Sequence, residues 1–103
     1  MNCRISALLL FIGAALPHVA AAADVTKGQT LAKRWCAACH VVASDQSGPT
    51  GEAPPFAVIA KTPDLNAGKL ANFLLSPHPK MPNMNLSRNE AADLAAYIVT
   101  QGK

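Results

Sequence analysis

The sequence predicts an all-α fold. Apolar residues recur at the three-to-four-residue spacing of a helix in three segments of the chain after residue 24. No segment alternates apolar and polar residues in the way that a half-buried strand does. Between the periodic segments the chain is rich in proline and glycine, which is typical of structured loops.

The first two helices are expected before residue 77. The first runs from Val25 to about Cys39. The second lies in the segment LNAGKLANFLLS, and Pro77 ends it because proline lacks the backbone N–H that a helix interior needs. The apolar residues that define its buried face are Leu65, Leu70, Phe73 and Leu74.

The last helix is expected to begin after Ser87. Glu90 follows three residues later, which is the pattern of a capping box, and Ala91, Leu94 and Ile98 then lie on one face. Residues 41–63, with their prolines and glycines, predict a structured loop without a helix. A second proline-rich loop, SPHPKMPNM, leads into the last helix.

Residues 1–23 predict a secretory signal peptide. Arg4 precedes an apolar stretch that ends at Pro17, and small residues follow up to Ala23. A retained membrane anchor is the less favoured alternative, because the apolar run is shorter than the ~20 residues that a spanning helix needs. Cleavage after Ala23 would leave residues 24–103 as a single exported domain with no stable membrane insertion.

The size of this domain predicts a cofactor. About 80 residues bury only a modest core and often depend on a metal, a cofactor or disulfides. The only aromatic residues after the signal peptide are Trp35, Phe56, Phe73 and Tyr97. The formal net charge is +3 and the basic residues form no stripe, which argues against a nucleic-acid partner.

The segment WCAACH contains the residues of the chain that are best suited to bind a metal or a cofactor. It places Cys36, Cys39 and His40 within five positions, and three kinds of site use such a pattern. A thioredoxin-like redox pair belongs after a strand, and the sequence predicts none there. A zinc site needs a fourth ligand, and beyond His40 only His78 offers a further cysteine or histidine.

Attachment of a c-type haem needs only the residues that are present. The thiols of Cys36 and Cys39 can each add across one of the two vinyl groups, and His40 can then bind the iron as the proximal ligand. The motif therefore favours one covalent haem c. Residues that could bind the sixth position of the iron are Met81, Met84 and His78.

Residues 24–103 resemble the small monohaem class I cytochromes c of bacteria. The resemblance is carried by Gly28, eight residues before Cys36, by the segment CAACH, and by MPNMNLSRNEAADLAAYI. It implies three to four helices and ordered loops wrapped around one covalently bound haem. It also implies that the first and last helices cross closely at Gly28, with Leu94 and Tyr97 as its neighbours on the last helix.

The resemblance further assigns roles around the iron. Met81 matches the position of the family's sixth ligand, while Met84 and His78 remain alternatives. In the family a proline carbonyl in the loop after the haem motif accepts a hydrogen bond from the proximal imidazole. Pro54 in the segment APPF is similar to that proline, and Pro49 is a second candidate.

The function that the resemblance implies is periplasmic electron transfer. A haem ligated by His40 and a methionine would cycle between Fe(II) and Fe(III), and the protein would be a carrier without catalytic activity of its own. Its partners would be redox proteins such as a dehydrogenase, an oxidase or a reductase. Alternatives are a haem enzyme or gas sensor with an open or weakly closed sixth position, and a cytochrome subunit tightly bound to a dehydrogenase.

Overall fold

The computed structural model describes residues 12–17, 22–48 and 53–103. Within these ranges the chain forms four helices: α1 (Val25–Trp35), α2 (Phe56–Ile59), α3 (Ala67–Leu75) and α4 (Arg88–Thr100). The described residues contain no strand. The all-α prediction is confirmed, and the number of helices is at the upper end of the expected range.

Helix α1 ends four residues earlier than expected. Asp24 caps its start by accepting a hydrogen bond from the backbone N–H of Lys27, and the helix runs only to Trp35. Beyond it, the carbonyl of Ala32 accepts from both the Cys36 and the Ala37 N–H groups. The second of these bonds spans five residues, so the helix unwinds at this point and the haem motif occupies the turns that follow.

Helix α2 lies in the segment that was expected to be a loop without a helix. Its four residues follow Pro55, which is compatible with a helix start because proline presets the backbone angle and has no N–H to satisfy. Phe56 is buried and its N–H donates to the carbonyl of Val41. The buried aromatic ring and this long-range bond stabilise a helical turn that local sequence does not favour.

Helix α3 begins at Ala67, two residues after Leu65, which was the first residue of the expected apolar face. Asn66 caps it by accepting from the N–H of Lys69, so Leu65 lies just outside the helix. Leu65 still packs against the core, in the position of a hydrophobic staple relative to Leu70. Phe73 was expected in the core and is instead 43% exposed.

Helix α4 packs against the other three helices and contributes more buried core residues than any other helix in the described part of the chain. The predicted capping box is present, with Ser87 and Glu90 each bonded to the backbone of the other. Gly28 of α1 approaches α4 so closely that a Cβ atom there would collide with the Asp93 carbonyl and lie 2.8 Å from Cβ of Tyr97. Tyr97 is thus a neighbour of Gly28 as expected, and the Asp93 carbonyl is the group that Gly28 approaches most closely.

No helix among the described residues is long and apolar enough to cross a membrane. Most of the predicted signal peptide, residues 1–11 and 18–21, lies outside the described residues, as does Pro49. The boundary at residue 23 stays a prediction.

Candidate haem-binding site

A cavity of about 670 Å³ opens between the end of α1, helices α2 and α3, and the loop before α4. This volume falls in the range of about 300–1,000 Å³ that is usual for small-molecule and cofactor sites. Sequence analysis singled out eight residues around the haem; Pro49 lies outside the described residues, and the other seven lie in the cavity wall: Cys36, Cys39, His40, Pro54, His78, Met81 and Met84.

The two cysteines reach the cavity from the turn that follows α1. Cys36 is the C-cap of α1 and is buried, whereas Cys39 is exposed, and its N–H donates to the Cys36 carbonyl at 3.1 Å. Neither forms a disulfide. Burial raises the pKa of the Cys36 thiol to about 11, so this thiol is neutral at physiological pH.

His40 is held from one side of its ring. The side chain is only 8% exposed, and Nδ1 lies 2.7 Å from the carbonyl oxygen of Pro54. A carbonyl oxygen can only accept, so Nδ1 carries the proton and Nε2 keeps its lone pair. The ring also stacks obliquely on Phe56, with 5.4 Å between the ring centroids. This arrangement leaves Nε2 as the nitrogen that can bind a metal.

Gln46 fixes the backbone on either side of His40. Its Oε1 accepts from the N–H of Val42 at 2.8 Å, and its Nε2 donates to the carbonyls of Ala37 and His40 at 3.2 and 3.0 Å. Sequence analysis assigned Gln46 no role. A single glutamine in a polar loop carries no pattern that would have revealed this role.

The loop before α4 brings all three candidates for the sixth ligand to the cavity. Met81 and Met84 are half-buried and His78 is exposed. The Met81 N–H donates to the His78 carbonyl at 3.0 Å. Nδ1 of His78 accepts from the N–H of Lys80 at 3.2 Å, and its ring lies against Phe73.

The rest of the cavity wall is largely apolar. Its interior side chains include four members of the buried core: Phe56, Leu70, Leu74 and Ile98. At the rim, Trp35 and Phe73 are 42% and 43% exposed, and the guanidinium of Arg34 lies 4.9 Å from the Trp35 ring centroid. These core residues would contact a flat apolar macrocycle bound in the cavity.

The residues present fit a haem. Two free thiols and an imidazole with an available Nε2 face one apolar cavity, which is the donor set that covalent haem attachment requires. A thioredoxin-like redox pair needs a strand before the two cysteines, and helix α1 precedes them instead. Across residues 12–17, 22–48 and 53–103, no three His, Cys, Asp or Glu side chains come together as metal ligands.

Comparison with known proteins assigns the family. Residues 23–98 match the family described as "Cytochrome C oxidase, cbb3-type, subunit III". The chain is also 58% identical over 79 residues to cytochrome c-552 of Bradyrhizobium diazoefficiens, which covers 77% of this chain and 76% of that protein. No solved structure matched the chain. The chain therefore belongs to the cytochrome c family, as a small monohaem class I member that carries covalently bound haem c.

Proposed function

We propose that the protein is an exported electron carrier whose haem iron is bound by His40 and Met81. Family membership makes it a haem c electron carrier; the axial ligands and the compartment are the proposal. The observation that carries it is the common cavity, which has both cysteines, His40 and Met81 in its wall. Export to the periplasm rests on the signal-like residues 1–23.

The hydrogen bond of His40 supports its role as the proximal ligand. Ligating histidines usually donate their second ring N–H to a carbonyl or carboxylate, which fixes the tautomer and raises the basicity of the ligating nitrogen. The Pro54 carbonyl supplies that partner at 2.7 Å. The bound haem would supply an iron that accepts and releases one electron, and the chain orients its ligands and excludes water from its faces.

The hydrogen bonding of His78 argues against it as the sixth ligand. Its Nδ1 accepts from the Lys80 N–H, so in the neutral ring Nε2 carries the proton and offers no lone pair. Ligation through Nε2 would require the other tautomer and would break this bond. His40 has the opposite arrangement, with its proton on Nδ1.

Packing supports Met81 over Met84. Met81 is half-buried and lies against the hydrophobic core, and its N–H is bonded to the His78 carbonyl. Pro82 follows directly and restricts the backbone beside the thioether. A thioether ligand favours ferrous iron and raises the reduction potential, as suits a carrier. A sixth position occupied by Met81 also distinguishes the proposed electron carrier from a haem enzyme or a gas sensor, in which that position is open or weakly closed.

The ferric absorption spectra of three variants test the proposal. Met81→Ala should lose the sulfur-to-iron charge-transfer band and gain the ability to bind exogenous ligands. Met84→Ala and His78→Ala are matched controls from the same loop and should keep the band. A Met81→Ala protein that retains the band would remove the ligand assignment and, with it, the argument for a closed electron-carrier site.

A further inference from the structure

The carboxamide of Gln46 makes three hydrogen bonds, all of them to the backbone that carries His40. Its oxygen accepts from the N–H of Val42, and its two N–H groups donate to the carbonyls of Ala37 and His40. The side chain is partly buried. Its own backbone is held in a turn, because the Gln46 N–H donates to the Ala43 carbonyl at 3.2 Å.

These bonds connect the beginning and the end of the turn that carries the haem motif, residues 36–40. The Ala37 carbonyl lies just beyond α1, where carbonyl groups lack helical partners. The His40 carbonyl closes the motif at its other end. One side chain therefore fixes the peptide groups on both sides of the segment that carries Cys39 and His40.

Further hydrogen bonds hold Val41, Val42 and the His40 ring, and their partners come from distant parts of the chain. The N–H of Phe56 donates to the carbonyl of Val41 at 2.9 Å, and the hydroxyl of Tyr97 donates to the carbonyl of Val42 at 2.6 Å. The His40 ring reaches the Pro54 carbonyl. The backbone from His40 to Val42 is thus hydrogen-bonded to α2, to α4 and to the side chain of Gln46.

We infer that Gln46 is a positioning residue for the proximal iron ligand. It holds the His40 backbone so that the bond between Nδ1 and the Pro54 carbonyl stays short. A short bond makes the imidazole a stronger donor to iron, which favours the ferric state. Loosening the loop lengthens the bond, weakens the donor and raises the reduction potential. This inference rests on the proposed function, because it takes His40 as an iron ligand.

The experiment compares holoprotein variants at two neighbouring positions. Gln46→Leu removes all three hydrogen bonds at similar volume. Gln46→Glu keeps an acceptor for the Val42 N–H and sets carboxylate oxygens against the Ala37 and His40 carbonyls. Ser47→Ala, at an exposed position of the same loop, is the control. The readouts are the reduction potential and, by NMR of the ferrous state, the hydrogen exchange of the His40 Nδ1 proton and the Val42 amide.

Gln46→Leu should have a higher reduction potential than the wild type, and both Gln46 variants should show faster exchange of the His40 Nδ1 proton. Exchange of the Val42 amide should accelerate about fivefold or more in Gln46→Leu, as expected for the loss of one hydrogen bond. Ser47→Ala should match the wild type in all three. If Gln46→Leu does not load haem, Gln46→Glu, which keeps the size of the side chain, provides the comparison.

Two outcomes separate this inference from the proposed function. If the variants only melt at lower temperature, while the potential and the Nδ1 exchange stay at wild-type values, Gln46 has a structural role alone and the inference is overturned. If the wild-type spectra show no histidine ligation, the proposed function fails, whatever the variants do.

Discussion

The backbone nitrogen of Asp24 donates a hydrogen bond of 2.7 Å to Oδ1 of Asp93 and so ties the start of α1 to the middle of α4. Asp24 also caps α1 through its own side chain, which accepts from the N–H of Lys27. Cleavage after Ala23 would convert the Asp24 nitrogen into an α-ammonium group facing a carboxylate. Before cleavage only the carboxylate of this hydrogen bond carries a charge, whereas afterwards both partners do, so a Coulomb attraction is added to the bond.

We therefore expect the contribution of Asp93 to stability to depend on which residue is the first of the chain. In holoprotein beginning at Asp24, Asp93→Asn should lower the free energy of unfolding by about 1 kcal/mol, and less at high salt. In holoprotein beginning one residue earlier, at Ala23, the same change should cost less because the Asp24 nitrogen is then an uncharged amide. Denaturant unfolding of the four proteins measures the difference.

Equal costs of Asp93→Asn in both backgrounds would contradict the proposed ion pair. The intact mass of the exported protein independently gives its first residue, which we expect to be Asp24.

A side chain at position 28 should separate α1 from α4. The Cβ of Gly28→Ala would collide with the Asp93 carbonyl, a backbone group that cannot move without shifting α4. We expect a loss of about 1–3 kcal/mol in unfolding free energy, the usual cost of overpacking, measured by denaturant titration of the holoprotein.

Gly68→Ala in α3 is the matched control for this change. Its Cβ would lie 3.3 Å from the Oδ1 atom of the exposed Asn66 side chain, which can adjust. Alanine is also the better helix former, so stability should change little or rise slightly. Equal losses in the two variants would show that close helix approach is not the reason for glycine at position 28.

The hydroxyl of Tyr97 should contribute substantially to the free energy of unfolding. It donates to the carbonyl of Val42 at 2.6 Å, and the side chain is only 4% exposed. Tyr97→Phe leaves a buried carbonyl without this partner, which costs about 1–3 kcal/mol. Denaturant unfolding at neutral pH measures the loss, and a variant as stable as the wild type would mean that water replaces the hydroxyl.

Tyr97 should also make stability depend on alkaline pH. Burial raises the pKa of Tyr97 above its usual 10.0, the Asp45 charge raises it further, and a hydrogen bond from Gln29 lowers it in part. The folded state therefore retains this proton more strongly than the unfolded state. The stabilisation is complete below the unfolded pKa and falls as pH rises through the folded pKa. Relative to Tyr97→Phe, the wild type should lose stability above about pH 10.

The parts of the fold that sequence predicted depend on short-range patterns. The capping box at Ser87 and Glu90 needs residues only three positions apart, and both bonds are present. The spacing of Gly28 from the haem motif, read through the family resemblance, placed the helix crossing, and Tyr97 is its neighbour as expected.

The parts that sequence missed depend on long-range contacts. Helix α2 is stabilised by the burial of Phe56 and the bond of its N–H to Val41, and the prolines that precede the helix suggested only a loop. The role of Gln46 depends on the fold of the turn around it, which has no sequence signature. Met81 as the sixth ligand stays a prediction, because Met84 and His78 share its short loop and also reach the cavity.

The apoprotein should be largely unfolded. Core residues Phe56, Leu70, Leu74 and Ile98 also line the cavity, so they exchange their packing against haem for contact with water when haem is absent. At about 24 cal/mol per Å³, a closed cavity of about 670 Å³ would cost about 16 kcal/mol, which is an upper limit for this cavity because it opens to solvent. That is comparable with the whole free energy of unfolding of a small domain, about 5–15 kcal/mol.

Replacing both Cys36 and Cys39 by alanine removes the covalent attachment and tests this dependence. The variant, freed of residual haem by acid-acetone extraction, should show little helical circular dichroism and no cooperative melt. Wild-type protein put through the same extraction is the control: it should keep its colour on the chain and refold, because its thioethers retain the haem. A helical, cooperatively melting double variant would mean that α1, α3 and α4 form a sufficient core by themselves, and that the cavity serves electron transfer without being needed for folding.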